Sequence, residues 1–133
     1  MSVQLSVSVR NARLDAIETT IGTSAIMKIR SGAKPVNCAA ADAGTVLATI
    51  NLAADWAAAA ASGSKAFQGT MQDASADASG TAGHFRIYAS DGTTCHMQGD
   101  VGTSGSDLNL ASVAIVAGQT IIISSMSLTD ANS

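Results

Sequence analysis

Residues 80–99, GTAGHFRIYASDGTTCHMQG, alternate between apolar and polar side chains on both sides of a Ser90-Asp91-Gly92 turn. Alternation with period two is the pattern of a strand with one face on a core. On the first strand Phe85, Ile87 and Ala89 share one face, and His84, Arg86 and Tyr88 the other. A two-residue Asp91-Gly92 loop would mix apolar and polar residues on each face. A three-residue loop, a type I turn closed by Gly92 in the left-handed region, restores order. It pairs Ala89 with Thr93, Ile87 with Cys95 and Phe85 with Met97, and sets Arg86 opposite His96 and Tyr88 opposite Thr94. A one-residue slip would turn the second strand inside out. The predicted inner face is Phe85, Ile87, Cys95 and Met97.

The rest of the chain is punctuated in the same way. Over 6–21, Leu5, Val9, Ala12 and Ala16 recur at helical spacing, and Leu14, Ile17 and Ile21 widen the apolar side. Ser6 is placed to cap this helix and Gly22 to end it. Arg10 and Arg13 lie on its polar flank. Alternation over 2–7 allows a short strand or an extended arm instead. Strands are predicted at 25–30, 46–52, 65–72 (with Phe67, Gly69 and Met71 on one side) and 108–116. The run Ile121-Ile122-Ile123 makes 119–128 the clearest strand, expected to be central and buried on both faces near its start. Residues 37–44 read as irregular, 73–83 as a connection and 129–133 as a frayed tail. The alanine-rich 53–62 is either a turn or two of helix or a loop packed by Trp56. Six to eight short strands behind one N-terminal helix predict an all-β fold, a β-sandwich.

Composition narrows this picture. A chain of 133 residues fits one domain over 1–133, with 1–22 as its N-terminal helix or arm. Hydrophobic residues reach 47% but aromatics only 3%. A core of small and β-branched side chains gains less per residue, so self-association has room to add stability. A net charge of −3 and 13% charged residues give no electrostatic footprint for nucleic acid or an anionic membrane. No secretory leader is expected, and no apolar run is long enough to span a bilayer. Cys38 and Cys95 are too few for a disulfide framework; a reducing cytoplasm fits them, and a bridge between them is disfavoured.

Candidate chemistry is sparse. His84 and His96 fall diagonally on one polar face, within reach of each other, with Arg86 between them. A zinc site wants three or four convergent ligands, and a guanidinium opposes a cation, so surface histidines are the favoured reading. Cys95 and His96 are neighbours in sequence but point to opposite faces of a strand, leaving Cys95 buried and inert. The glycines and serines of GTSGSD, 102–107, lack the lysine and the setting of a phosphate loop. Asp73, Asp77, Asp91, Asp100 and Asp107 sit in turn-like segments without the spacing of a calcium loop. Trp56 either plugs a core gap or anchors an interface, with the core favoured. The sequence predicts no catalytic, cofactor-binding or metal-binding residue.

Five stretches carry a family resemblance: RNARLDAIETTIG (10–22), KIRSGAKP (28–35), LATINLAADW (47–56), SADASGTAGHFRIYASDGTTCHMQGDVG (75–102) and DLNLASVAIVAGQTIIISSMSLT (107–129). Together they resemble the capsid cement, or decoration, proteins of short-tailed phages, most strongly in the hairpin. The resemblance implies a jelly-roll β-sandwich, made in the host cytoplasm and sited on the outer surface of an icosahedral head. It implies binding to the major capsid protein, self-association as a homodimer or trimer, and no direct contact with nucleic acid or membrane. It also implies no enzyme activity and no cofactor. Position and charge make 1–22, with Arg10 and Arg13, a candidate docking arm, and Trp56 is the third candidate interface residue. The alternative is a non-catalytic module of a phage fibre or tail that binds carbohydrate or a receptor.

Overall fold

The computed structural model describes residues 3–130. Helix α1 runs Val7–Ile21, as the periodicity predicts. The Ser6 side chain accepts from the Val9 amide at 3.2 Å, satisfying a donor of the first turn. Gly22, at φ +89°, ends the helix with its amide on the Glu18 carbonyl at 2.9 Å. Residues 3–6 form no strand, and Ser2 of the alternative arm lies outside the described residues.

Ten strands follow among the described residues: β1 (Ile26–Ser31), β2 (Val46–Asn51), β3 (Ser64–Ala66), β4 (Gln72–Asp73), β5 (Gly80–Tyr88), β6 (Cys95–Gly102), β7 (Leu108–Asn109), β8 (Ala114–Ile115), β9 (Ile121–Ile122) and β10 (Ser127–Thr129). The main sheet has the order β2-β1-β5-β6-β7, and β8 pairs with the start of β5. Two short ribbons, β3 with β10 and β4 with β9, complete the structure. From β3 onward the pairs nest: β3 with β10, β4 with β9, β5 with β8, β6 with β7. All are antiparallel except β6–β7. The fold is therefore all-β, in curled sheets, with one short helix.

The core lies on one face of the main sheet. Met27 and Ile29 of β1, Ala48 and Ile50 of β2, and Phe85 and Ile87 of β5 are buried there. Trp56, Phe67, Met71, Ile121, Ile123 and Met126 belong to the same cluster. The Trp56 and Phe67 rings meet at 5.0 Å in a tilted contact. Segment 53–62 forms no helix; its run is too short to stand as one, and it is held by Trp56 and isolated bridges at Ala57 and Ala61.

The hairpin forms, with a different register. Ile87 pairs with Met97 and Phe85 with Gly99, two residues from the expected partners. A shift of two keeps faces, so Phe85 and Ile87 stay inside and Met97 packs at the core margin. A bulge between Ile87 and Tyr88 sets Cys95 opposite Tyr88, away from the inner face predicted for it. The loop is longer than three residues: Ala89 bonds the Thr94 carbonyl at 3.0 Å, enclosing 90–93. Asp91 organises it by accepting from the Thr93 and Thr94 amides at 2.8 and 2.9 Å. That side-chain bonding competes with the tighter turn.

Other expectations change too. Segment 119–128 is not one central strand but β9 and β10, with Ile121 and Ile123 buried and Ile122 60% exposed. Segments 65–72 and 108–116 likewise split into paired fragments, and β5 begins at Gly80, inside the predicted connection. Of the predicted tail, Thr129 is in β10 and 131–133 lie outside the described residues.

Candidate functional site

The second face of the main sheet carries Lys28 and Arg30 from β1 and His84, Arg86 and Tyr88 from β5. Polar alternation predicts this face in solvent. The structure instead covers it with the irregular 31–45 loop, so that His84 and Tyr88 are fully buried and Arg86 is 1% exposed. A buried guanidinium needs its donors filled. Arg86 bonds Asp42 through Nη1, and its Nη2 donates to the carbonyls of Asn37, Cys38 and Ala40 at 3.1, 3.0 and 3.2 Å. Asp42 also accepts from the Tyr88 hydroxyl at 2.7 Å and pairs with Arg30 at 3.1 Å. Gln98 Nε2 fastens the Pro35 carbonyl at 2.7 Å, and His84 Nδ1 lies 2.9 Å from the Gly32 carbonyl. Gly83 permits close contact with the loop, since a Cβ there would sit 2.1 Å from the Gly32 oxygen.

Charge follows from this geometry. Burial alone would raise the Asp42 carboxyl; hydrogen bonds from Tyr88 and Arg86 and the charges of Arg30 and Arg86 outweigh it and hold the group below its ordinary value. Burial, and then its bond to Asp42, raise the Tyr88 hydroxyl. Cys38 in the loop and Cys95 in β6 are both half-buried and both free. Cys95 Sγ contacts the Met97 carbonyl at 3.4 Å. Burial, then Cys38, pushes the Cys95 thiol up to about 11.

Helix α1 is stitched down rather than free. Lys65 of β3, 1% exposed, pairs with Asp15 at 2.7 Å and Glu18 at 2.8 Å. Asp15 also accepts from the Ala60 amide, and Asn11 from the Gly63 amide, both at 2.9 Å. Arg10 donates to the Asp130 carbonyl at 3.2 Å, and Arg13 pairs with its carboxylate at 3.1 Å. Both arginines therefore hold the end of β10 to the helix, with the Arg13 side chain still 59% exposed. The outer side of the helix leaves Val7, Val9, Ala12 and Ala16 in solvent. Trp56 is fully buried and its indole donates to the Gly22 carbonyl at 2.8 Å. It is a core residue that presents no surface to a partner.

The two histidines are not brought together. His84 is buried opposite Asp100, which corrects the surface reading. His96, exposed at the bulge, faces a groove of about 260 Å³ beside Arg13, Ile17 and Thr20 of α1. Arg86 lies opposite Gln98, not His96. Asp73 and Asp77 converge instead on Thr49, through its amide at 2.9 Å and its hydroxyl at 2.7 Å. No group of three metal-ligating side chains occurs among the described residues.

Sequence reasoning missed Asp42, Arg86 and Lys65. Arg86 looks like a solvent position because a strand's polar face does not announce that a loop will cover it; Asp42 lies in an irregular stretch with no period, and the carboxylates that meet Lys65 lie far off in the helix. Comparison with models of known families, with curated proteins and with solved structures gives no match.

Proposed function

We propose that this chain is a non-catalytic structural protein of a tailed-phage particle, a cement protein that binds the outside of the icosahedral head. In this role it clamps neighbouring major capsid protein subunits against the pressure of packaged DNA, as a homodimer or trimer. The observation that carries the reading is where the charge goes. All seven lysines and arginines are engaged within the chain: Arg10, Arg13, Lys28, Arg30, Lys34, Lys65 and Arg86. The groups that usually meet a ligand are here committed to the fold. Serine, threonine and alanine, with single valines such as Val36 (89% exposed), remain outside, a surface suited to burial against protein.

The four aromatic side chains, Trp56, Phe67, Phe85 and Tyr88, are all buried, which weighs against a sugar-binding module with an aromatic platform. The nested pairing from β3 to β10 supports a jelly-roll reading, since a jelly roll is an antiparallel ribbon wound on itself. The β5–β6 hairpin and the parallel β6–β7 contact depart from the simplest form of it.

The decisive experiment mixes purified protein with undecorated capsids. Saturable, stoichiometric binding with raised resistance of the heads to heat is the expected result. Glycan binding without capsid binding would replace this reading with the fibre module. Docking through the outer side of α1 is checked with Ala12→Glu and Ala16→Glu, which should weaken binding, against Val116→Glu on a distant turn, which should not.

A further inference from the structure

Strand β10 is bonded along one edge. The Phe67 amide donates to the Met126 carbonyl at 2.8 Å, and the Asp130 amide to the Gly63 carbonyl at 2.9 Å, so the even positions face β3. Backbone groups alternate sides along a strand, which turns the amides and carbonyls of Ser127 and Thr129 to the opposite edge. Among the described residues no other backbone pairs with them there. The outer edge of β2 is closed by contrast: the Asp77 amide donates to the Leu47 carbonyl at 2.7 Å, and the Thr49 amide to the Asp73 carboxylate at 2.9 Å. Strand β10 has none of the devices that blunt an open edge, neither proline, nor lysine, nor bulge.

That edge borders a groove. Two adjoining hollows of about 450 Å³ each run beside 124–129 and share Asp107 and Ser127 in their lining. The one next to Ser127 and Thr129 has Phe85, Met97 and Leu128 as its apolar lining, and β3 contributes nothing to it. The space is bounded by β10 on one side and by the turn between β6 and β7 on the other. It therefore takes one extended segment rather than the edge of a second folded sheet. Asp107, exposed on that turn, accepts from the Asp100 amide through Oδ2 at 2.9 Å. No lysine or arginine pairs with it among the described residues, since all seven are engaged elsewhere.

We propose that this groove binds an extended peptide segment of a partner protein, added as a strand to β10, with a basic side chain beside Asp107. Each part of the occupant answers a part of the groove. Unpaired amides and carbonyls at strand spacing are matched by the backbone of another strand. The apolar lining takes alternate side chains of that strand. The uncompensated Asp107 carboxylate selects a cation. Ser124 to Thr129 spans roughly 17 Å at about 3.3 Å per residue, so the occupant is a stretch of about four to six residues. The groove has no α1 residue in its lining and is distinct from the docking helix. Peptide binding is measured without capsids, so its failure leaves the cement reading untouched.

The test titrates the full chain with the synthetic peptide acetyl-Thr-Val-Lys-Val-Thr-Val-amide to millimolar concentration and follows amide exchange by NMR. Saturable binding should slow exchange of the Ser127 and Thr129 amides by about tenfold or more. Methylating alternate peptide nitrogens should weaken binding about tenfold, and glutamate in place of the lysine about threefold. Ser127→Pro removes an outward amide and leaves the bonds to β3, so it should abolish binding at an unchanged Tm. Asp107→Asn keeps an acceptor for the Asp100 amide and should erase the preference for lysine over glutamate. No binding, binding that backbone methylation leaves unchanged, or binding that protects neither amide would overturn the proposal. Protection that rises with protein concentration in the absence of peptide would put a second copy on this edge and overturn it equally. The peptide variants act on the unsubstituted chain and decide the matter even if Ser127→Pro fails to fold.

Discussion

Asp42→Ala removes the group on which the covering loop turns. The Tyr88 hydroxyl, fully buried, loses its acceptor, at a cost of about 1–3 kcal/mol. Breaking a fully buried ion pair costs about 3–5 kcal/mol. Two features reduce that here: the Asp42 side chain is 40% exposed, so water replaces part of its contribution, and Arg86 keeps three carbonyl acceptors. A net loss of about 3 kcal/mol results. With an unfolding entropy of about 2.1 cal/mol/K per residue, that lowers Tm by roughly 10 °C. Urea unfolding gives the free energy, and amide exchange locates the loss in 31–45. Acid titration adds a second signature. Because the folded Asp42 carboxyl lies below its unfolded value, its contribution is full above that unfolded value and disappears as pH falls through the folded one. The variant should therefore show a shallower acid limb. A change under about 0.5 kcal/mol, with exchange over 31–45 unaltered, would refute the claim that Asp42 holds the loop.

Lys65→Met should stay within about 2 kcal/mol of the parent at neutral pH, since an apolar side chain of similar size replaces a buried cation. Burial lowers the Lys65 ammonium, but its bonds to Asp15 and Glu18 outweigh this and raise it overall. Its contribution is therefore full below the unfolded value and lost as pH rises through the folded one; alkaline unfolding curves should lose that limb in the variant. Trp56→Phe should cost about 2 kcal/mol by thermal unfolding, through lost volume and an orphaned Gly22 carbonyl, while emission of the parent's single tryptophan should be blue-shifted when folded. Gly83→Ala should destabilise by more than about 2 kcal/mol in urea, because backbone rather than a flexible side chain obstructs the new methyl.

What the sequence makes legible is local. Ser6 and Gly22 mark the helix ends by backbone chemistry that needs no distant partner, and β1, β2 and the two hairpin strands declare themselves by alternation. The fragments β3, β4 and β7 to β10 are only two or three residues long, too short for any period to register. Except for β7, which follows its partner β6 closely, their partners lie far away in the chain, as Ser64 lies from Thr129. The hairpin register fails at one bulge and one aspartate-bonded turn. Arg86 and Tyr88 are misread for a different reason: alternation reports that two faces differ, not which neighbours cover them. The interface candidates divide likewise. Arg10 and Arg13 are polar-flank residues as predicted, yet their partner at Asp130 is invisible to any local pattern.

The clasp between Arg10, Arg13 and Asp130 also governs when the protein can fold. A helix near the start of the chain is tied to a strand near residue 130, and the outermost ribbon joins β3 to β10. During synthesis the helix and the β1–β2 pair emerge early, and Lys65 finds Asp15 and Glu18 already made, but the backbone of β3 waits for a strand not yet made. The β3–β10 ribbon therefore cannot close until residue 129 has been made, and the nascent chain carries an unpaired β3 edge until then. Linking residue 130 back to the helix by a short spacer and opening the chain at the 90–93 turn would change that order of assembly while retaining every strand pair described.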